Sequence, residues 1–319
     1  MRILVVRLDA IGDMVLMSPF MRELRRFHPE AEITLLVQPL VFNLVEHCPY
    51  VDKVVTNWSW RWFWRRRWDL ALAPRFDVDH FGANRVLWLS FARRRVWWRN
   101  ADRFTQAPRH EVERNLEVLS WLEIPEASER LENWRTPADT ARAEQLLAAG
   151  GGVPTDTVFA FVPGASHPAK QWDFNKFLEL GEWLIDVHRI KLLVMGGNDE
   201  KLLGEELQQR FGDAVVDVTG QTTLREAGAL LQRCRLYVGN DTGLMHLAAA
   251  EGVPVVALFR HPLLADARAR SSPVRFRPWG VPHVVVQPRE GDISTISVHD
   301  VQHAITTFIG PRFQVLESA

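Results

Sequence analysis

The polar cluster Asn240-Asp241-Thr242-Gly243 stands between two apolar runs and is the strongest chemical signal in this sequence. Arg235-Leu236-Tyr237-Val238 before it reads as a short strand and Leu244 to Ala250 after it as a helix. Gly252-Val253-Pro254 then ends that helix before a second buried strand, Val255 to Phe259. A strand that enters a helix N-terminus through small polar residues leaves backbone N–H groups and the positive end of the helix dipole available to an anion. The chemistry to expect is phosphate binding. The same pattern also fits a plain helix cap, and His246 on the helix's apolar side also fits a satisfied core histidine.

Two further loops carry chemically useful residues. Arg7-Leu8-Asp9-Ala10-Ile11-Gly12-Asp13 joins an apolar run to a helical one. There Asp13 is either a general base at a strand's C-terminal end or simply an acid favoured by the helix dipole. Val162-Pro163-Gly164-Ala165-Ser166-His167-Pro168-Ala169-Lys170-Gln171-Trp172 follows another strand. In it Lys170 supplies a point charge suited to phosphate and Ser166 a hydroxyl donor. Each loop alone is a weak signal; three of them after strands, on one rim, are a stronger one.

The elements that must position these loops alternate along the chain. In the first half strands are expected at Ile3 to Val6, Ile33 to Val37, Val51 to Val55 and Leu70 to Ala73, with an amphipathic helix over Gly12 to Phe27 and another over Glu111 to Leu122. Thr136 to Pro154, centred on Gly150-Gly151-Gly152, reads as a linker. The rhythm then restarts with a strand at Val158 to Val162, a helix at Phe174 to Val187, a strand at Lys191 to Met195 and a helix at Glu200 to Phe211. The last helical run, Val298 to Phe308, fits either half. This is the pattern of two parallel α/β domains, 1–152 and 153–319, with ligands expected in a cleft between them at the strands' C-terminal ends.

Bulk properties narrow the class. The chain has 319 residues, a formal net charge of -1 and two cysteines, Cys48 and Cys234, both in apolar sequence. Those values argue against a general nucleic-acid binder, a disulfide framework and a cysteine metal site, and suit a reducing cytoplasm. Arg7, Asp9 and Asp13 interrupt the N-terminal apolar run, so it does not read as a signal peptide.

The segments RLDAIGDMVLMSPFMREL, HEVERNLEVLSWL, PGASHPAKQWDFNKF and VTGQTTLREAGALLQRCRLYVGNDTGLMHLAAAEGVPVVALF together resemble the signature blocks of the ADP-heptose:lipopolysaccharide heptosyltransferase family, glycosyltransferase family 9. The resemblance covers most of the chain from Met1 to Phe259. It implies a GT-B fold, two Rossmann-like domains facing across a cleft, the N-terminal one binding the acceptor and the C-terminal one the nucleotide sugar. It also implies inversion at the anomeric carbon, without a metal ion or cofactor. By position, Asp13 matches the catalytic base and Lys170 the donor-phosphate lysine, with Ser166 in the same phosphate loop. Asp241 matches the acid at the sugar end of the donor, and Thr242 and Gly243 the backbone donors to the diphosphate; His246 is counted with this donor set. Thr222 falls in the loop flanking the base. Gly196, Gly197 and the acids Asp199 and Glu200 fall at the ribose, and Glu200 is taken as the contact. The implied partners are a nucleotide-diphosphate sugar, ADP-heptose first, and an anionic glycolipid or glycan acceptor, with no nucleic acid.

Two regions depart from that pattern. After Phe259 family members continue with Gly and a Thr/Ser-Asp-Pro turn, whereas this chain reads Arg260-His261-Pro262. This leaves open the same fold with another nucleotide sugar and a capsule, O-antigen or protein acceptor. The second region is NWSWRWFWRRRW at 57 to 68 with RRRVWWR at 93 to 99; residues 58 to 114 hold thirteen Arg, no Lys and six acids. This is either a solvated helix face with some Trp in the core, or a surface for a membrane-borne anionic acceptor, with Arg61, Arg65, Arg66 and Arg67 as acceptor contacts. The second reading implies a cytoplasmic protein peripheral to the inner membrane. A non-catalytic membrane-peripheral binding protein is the rival class, against which the presence of Asp13, Lys170 and Asp241 argues. A dehydrogenase is disfavoured because no G-x-G-x-x-G follows a strand.

Overall fold

A computed structural model describes residues 1–57, 67–75, 82–98, 107–125, 128–151, 157–269 and 271–309. The chain forms two compact units. One comprises Met1–Thr136 with Val274–Phe276, the other Pro137–Pro273 with Arg277–Ala319.

The first unit is a five-stranded sheet in the order β3-β2-β1-β4-β5, built from β1 (Arg2–Arg7), β2 (Glu32–Val37), β3 (Lys53–Val55), β4 (Leu70–Ala73) and β5 (Arg94–Trp97). All pairings are parallel. Parallel strands are covered on both faces and so read as unbroken apolar runs; Ile3 to Val6 and Leu70 to Ala73 are buried throughout. The helices are α1 (Ile11–Leu16), α2 (Ser18–Phe27), α3 (Phe42–Val45), α4 (Ala83–Leu89) and α5 (Glu111–Ser120). The single helix expected over Gly12 to Phe27 is divided at Met17, because Pro19 in the first turn of α2 has no N–H to offer the preceding turn. The Ser18 hydroxyl donates to the Val15 carbonyl at 2.7 Å instead.

The second unit begins with α6 (Pro137–Ala149), so most of the stretch read as a linker is helix. The α6 helix packs on α9 (Leu224–Leu231), where Arg225 is ion-paired with buried Asp139 at 2.9 Å. Its six-stranded parallel sheet has the order β11-β10-β9-β6-β7-β8. The strands are β6 (Val158–Val162), β7 (Lys191–Val194), β8 (Val215–Asp217), β9 (Leu236–Asn240), β10 (Val255–Leu258) and β11 (His283–Val286). The remaining helices are α7 (Phe174–His188), α8 (Lys201–Phe211), α10 (Gly243–Ala250), the short α11 (Pro273–Phe276) and α12 (Val298–Ile309). Helix α12 joins the core of the second unit through Val301 and Ile305, beside Phe161, Phe177 and Trp172. Among the described residues no helix is long and apolar enough to cross a membrane.

Both sheets reverse their winding once. In the first the reversal lies between β1 and β4, in the second between β6 and β9. At such a point the loops leaving the two strands diverge and open a crevice at their C-terminal ends, where ligands of doubly wound proteins bind. In the second sheet β6 and β9 approach closely at Gly239, where a Cβ would lie 2.5 Å from the Val162 carbonyl oxygen.

Candidate functional site

The reversal in the second sheet brings the Lys170 and Asp241 loops together. Asn240, the last residue of β9, is buried and ties them: its Nδ2 donates to the Pro163 carbonyl at 2.7 Å, and its Oδ1 accepts from the Trp172 backbone N–H at 3.2 Å. Lys170 Nζ, on a one-turn helix over Pro168–Lys170, donates to Asp241 Oδ2 at 2.5 Å. The Lys170 side chain is 27% exposed and that of Asp241 6%, so the cation stands on the open side of the pair.

Asp241 leads directly into α10. Thr242 is its N-cap residue in extended conformation, and its side chain makes no cap hydrogen bond. The Thr242 hydroxyl instead meets the Tyr237 hydroxyl at 3.2 Å, and Tyr237 also donates to the Asn240 carbonyl at 2.9 Å. Tyr237 has one hydroxyl hydrogen and gives it to Asn240, so it accepts from Thr242. The Thr242 side chain is turned to that contact rather than to the first turn of α10, which begins at Gly243. A free helix N-terminus beside an ammonium group is suited to a diphosphate.

His246 lies in the next turn of α10, buried, with Nδ1 lacking a hydrogen-bond partner. Burial first, and the Lys170 charge second, push its pKa down to about 3, so it is neutral at working pH. Unfolded histidine titrates near 6.5. The stabilisation from keeping this ring neutral is therefore complete above that value and is lost as pH falls through the window toward 3, by about 1.4 kcal/mol per pH unit. His246→Phe is expected to flatten the acid limb of stability, read by denaturant unfolding at pH 7.5 and 4.5; an unchanged limb would assign the slope to other groups.

The remaining expected donor residues follow neighbouring strands of the same sheet. Ser166 is exposed in the loop after β6, and Thr222 is half-buried between β8 and α9. Gly196 and Gly197 follow β7. Glu200 folds back so that its Oε2 accepts from the Gly197 backbone N–H at 2.7 Å, and its stem lies 2.7 Å from where a Gly196 Cβ would be. Gly164 and Gly196 thus make the room that Glu200 occupies.

The first unit has a second polar centre at its own reversal point. Arg7 ends β1, is 1% exposed, and is enclosed by acceptors. Its Nη2 donates to Asp13 Oδ1 at 3.0 Å and to Glu111 Oε1 at 3.3 Å, and its Nη1 to Asn115 Oδ1 at 3.0 Å and to the Pro74 carbonyl. Nε lies 3.0 Å from Asp9 Oδ2 as a charge contact, without hydrogen-bond alignment. Asp9 also pairs with Arg75 after β4 at 2.6 Å, and Glu111 Oε2 accepts from Arg275 at 2.9 Å. Burial works against the Arg7 charge, but Asp9, Asp13 and Glu111 together outweigh it and raise the guanidinium pKa further. Burial likewise pushes Asp9 up to about 6, with Arg7 opposing.

The loop composition points to Asp13, whereas nothing local in the sequence marks Arg7, Asp9, Arg75, Glu111, Asn115 and Arg275 as one centre. The available signal was a cation at the end of an apolar strand, where desolvation demands buried acceptors.

Of the acceptor candidates, Arg67 is exposed ahead of β4, and Arg61, Arg65 and Arg66 lie outside the described residues. The second Arg/Trp cluster is not a helix face: its described part is edge strand β5, with Trp98 buried and donating to the Arg114 carbonyl at 3.3 Å. Trp88 on α4 is 58% exposed and lies under the Arg95 guanidinium, 4.2 Å from ring centroid to Cζ.

Two parallel sheets, each with its polar centre at a winding reversal, define a doubly wound α/β protein built from two Rossmann-like units. The model of "Glycosyltransferase family 9 (heptosyltransferase)" matches residues 84–300, and the chain belongs to that family. It is similar to lipooligosaccharide heptosyltransferase 2 of Haemophilus ducreyi, 24% identical over 296 residues covering 81% of this chain and 83% of the relative. A glycosyltransferase family 9 structure from Veillonella parvula superposes with a TM-score of 0.79 at 19% identity, over 99% of this chain and 97% of the other. The ADP-heptose lps heptosyltransferase II structure from E. coli gives 0.74 at 22%, over all of both chains. The fold is GT-B and the protein is a glycosyltransferase.

Proposed function

We propose that this chain transfers a heptose from ADP-heptose to a lipopolysaccharide-core hydroxyl, with inversion and without a metal ion. The observation that carries the reading is the Lys170–Asp241 pair at the uncapped N-terminus of α10. Asp13 takes the proton of the acceptor hydroxyl as its oxygen forms a bond to the anomeric carbon and the bond to the diphosphate breaks. Charge then grows on the leaving diphosphate, where Lys170 and the N–H groups at Thr242 and Gly243 meet it, with the Ser166 hydroxyl in the same loop. Asp241 serves the sugar end. Gly196 and Glu200 serve the ribose, Thr222 the base, and buried His246 lines the floor. On this reading the first unit, 1–152 in the sequence-based division, carries the acceptor side, and the second, 153–319, the donor side.

ADP as the nucleotide is supported by the name of the E. coli relative, and the acceptor by that of the Haemophilus one. Arg67 and its neighbours Arg61, Arg65 and Arg66 are assigned to acceptor phosphates, and on this reading the enzyme works as a peripheral protein at the cytoplasmic face of the inner membrane. Calorimetric titration with ADP, GDP, UDP and dTDP tests the donor. ADP is expected to bind most tightly, and a preference for another nucleotide would move the protein to a different donor. The exposed Arg260 after β10, where the family turn is replaced, favours that second reading.

A further inference from the structure

We infer that Arg7 is a positioning residue for the Asp13 carboxylate, and that Glu111 and Arg275 form the rest of the clamp that holds it. The inference rests on the reading of Asp13 as the base. Asp13 is 19% exposed at its side chain and is gripped by one oxygen: Oδ1 accepts from Arg7 Nη2 at 3.0 Å, and among the described residues Oδ2 accepts no hydrogen bond. One fixed oxygen and one accessible oxygen is the arrangement a base requires, because a freely rotating carboxylate would reach the productive angle only part of the time.

Arg7 itself has no freedom to move. Its donors face Asn115 and the Pro74 carbonyl on one side, Asp13 and Glu111 on another, and Asp9 at Nε. Only a planar fork can engage that many acceptors at once, so lysine would keep the charge but lose the geometry. The acceptors come from separate elements: Asp9 from the loop after β1, Asp13 from the first turn of α1, Pro74 from the loop after β4, and Glu111 and Asn115 from one face of α5, where they are four residues apart.

Glu111 is held from its far side by Arg275 at 2.9 Å, with both side chains almost fully buried. Arg275 lies in α11, and Val274–Phe276 is grouped with the first unit although the residues before and after it belong to the second. Three arginines, Arg7, Arg75 and Arg275, thus meet three carboxylates, Asp9, Asp13 and Glu111. A buried network of this kind is sensitive to the loss of either sign. Without Arg275, Glu111 pulls harder on Arg7 and the grip on Asp13 shifts.

The test compares Arg7→Lys, Arg275→Gln, Asp13→Asn and the double variant Arg7→Lys/Asp13→Asn in the full chain. Transfer rate at saturating substrates, acceptor KM, ADP affinity and melting temperature are read for each. Arg7→Lys is expected to lower kcat by about ten-fold or more, and Arg275→Gln by about three- to ten-fold, with acceptor KM and ADP affinity little changed. The double variant is expected to be no slower than Asp13→Asn alone, because Arg7 acts through Asp13. Independent, multiplying losses, or a kcat effect only in proportion to lost folded protein, would overturn the inference and leave a structural role. If Arg7→Lys does not fold, the Arg275→Gln/Asp13→Asn pair supplies the same comparison. A collapse in Asp13→Asn with unchanged kcat in both arginine variants refutes the clamp alone; full activity in Asp13→Asn refutes the base reading beneath it.

Discussion

Asp13→Asn is expected to lower the rate of sugar transfer by about 10²–10⁴-fold, the usual contribution of a positioned general base. ADP affinity and the folded state should be retained, and the surrounding structure explains why these quantities separate. Asp13 is the most exposed acid on Arg7, and removing its charge still leaves that guanidinium with Asp9, Glu111, Asn115 and the Pro74 carbonyl. Breaking a buried ion pair typically costs about 3–5 kcal/mol because a charge is left without a partner; here none is. Asparagine has the same shape, so the first turn of α1 needs no repacking. The residues proposed to hold the nucleotide belong to the second unit, in the loops and helix starts that follow its strands, and are not altered by the change. Release of ADP in the presence of acceptor measures the effect, with calorimetry for ADP binding. Turnover close to that of the parent would remove Asp13 from the chemistry and leave it as one more acceptor for Arg7.

The fold was legible wherever the physics of burial writes a simple pattern. Val158 to Val162 is apolar throughout because a central parallel strand is covered on both faces, and it was read at its true ends. Edge strands lack that signature. β5 is Arg-Arg-Val-Trp, inside a cluster whose composition fits a solvated face or a docking surface and not a strand. β8 is three residues long, and β11 begins with a histidine and is only half-buried over its first three residues. The α6 helix is hard to see in sequence for a different reason. The glycines at its end suggested a linker, while its core contribution comes from Ala143, Leu146, Leu147 and the Asp139–Arg225 pair, a partnership 86 residues apart that no local pattern records.

The candidate site divides in the same way. Lys170, Asp241 and Thr242 were legible because strand, polar loop and helix start are adjacent in sequence, and each loop betrays its chemistry by composition. The Arg7 centre was not, since its partners lie 104 and 108 residues away on α5, and Arg275 is a further 164 residues from Glu111. A lone arginine closing an apolar strand was the only trace of it. Asn240 and Tyr237 belong to this second kind as well: both look like ordinary strand residues, yet one fastens the two loops and the other draws the Thr242 hydroxyl away from α10.

Lys170→Ala tests the donor half of the reading, and its expected effect on kcat/KM is a loss of about 10²–10³-fold. Two causes act together. The first is the loss of an ammonium group at the point where the leaving diphosphate gathers charge, a contribution that grows toward the transition state and so lowers kcat. The second concerns Asp241. In the folded protein its carboxylate is 6% exposed and has Lys170 at 2.5 Å. With the lysine gone, an uncompensated negative charge remains two residues before Gly243, where α10 begins and where the diphosphate has to bind. Repulsion from that charge should weaken ADP binding by about ten-fold, the equivalent of about 1.4 kcal/mol. The double change Lys170→Ala/Asp241→Asn separates the causes: neutralising Asp241 should restore ADP affinity and leave kcat low. Titration of ADP into the three proteins, together with kcat/KM for transfer, measures both. If the single variant binds ADP as the parent does and turns over at the same rate, Lys170 is a surface cation that pairs with Asp241 and takes no part in holding the leaving group.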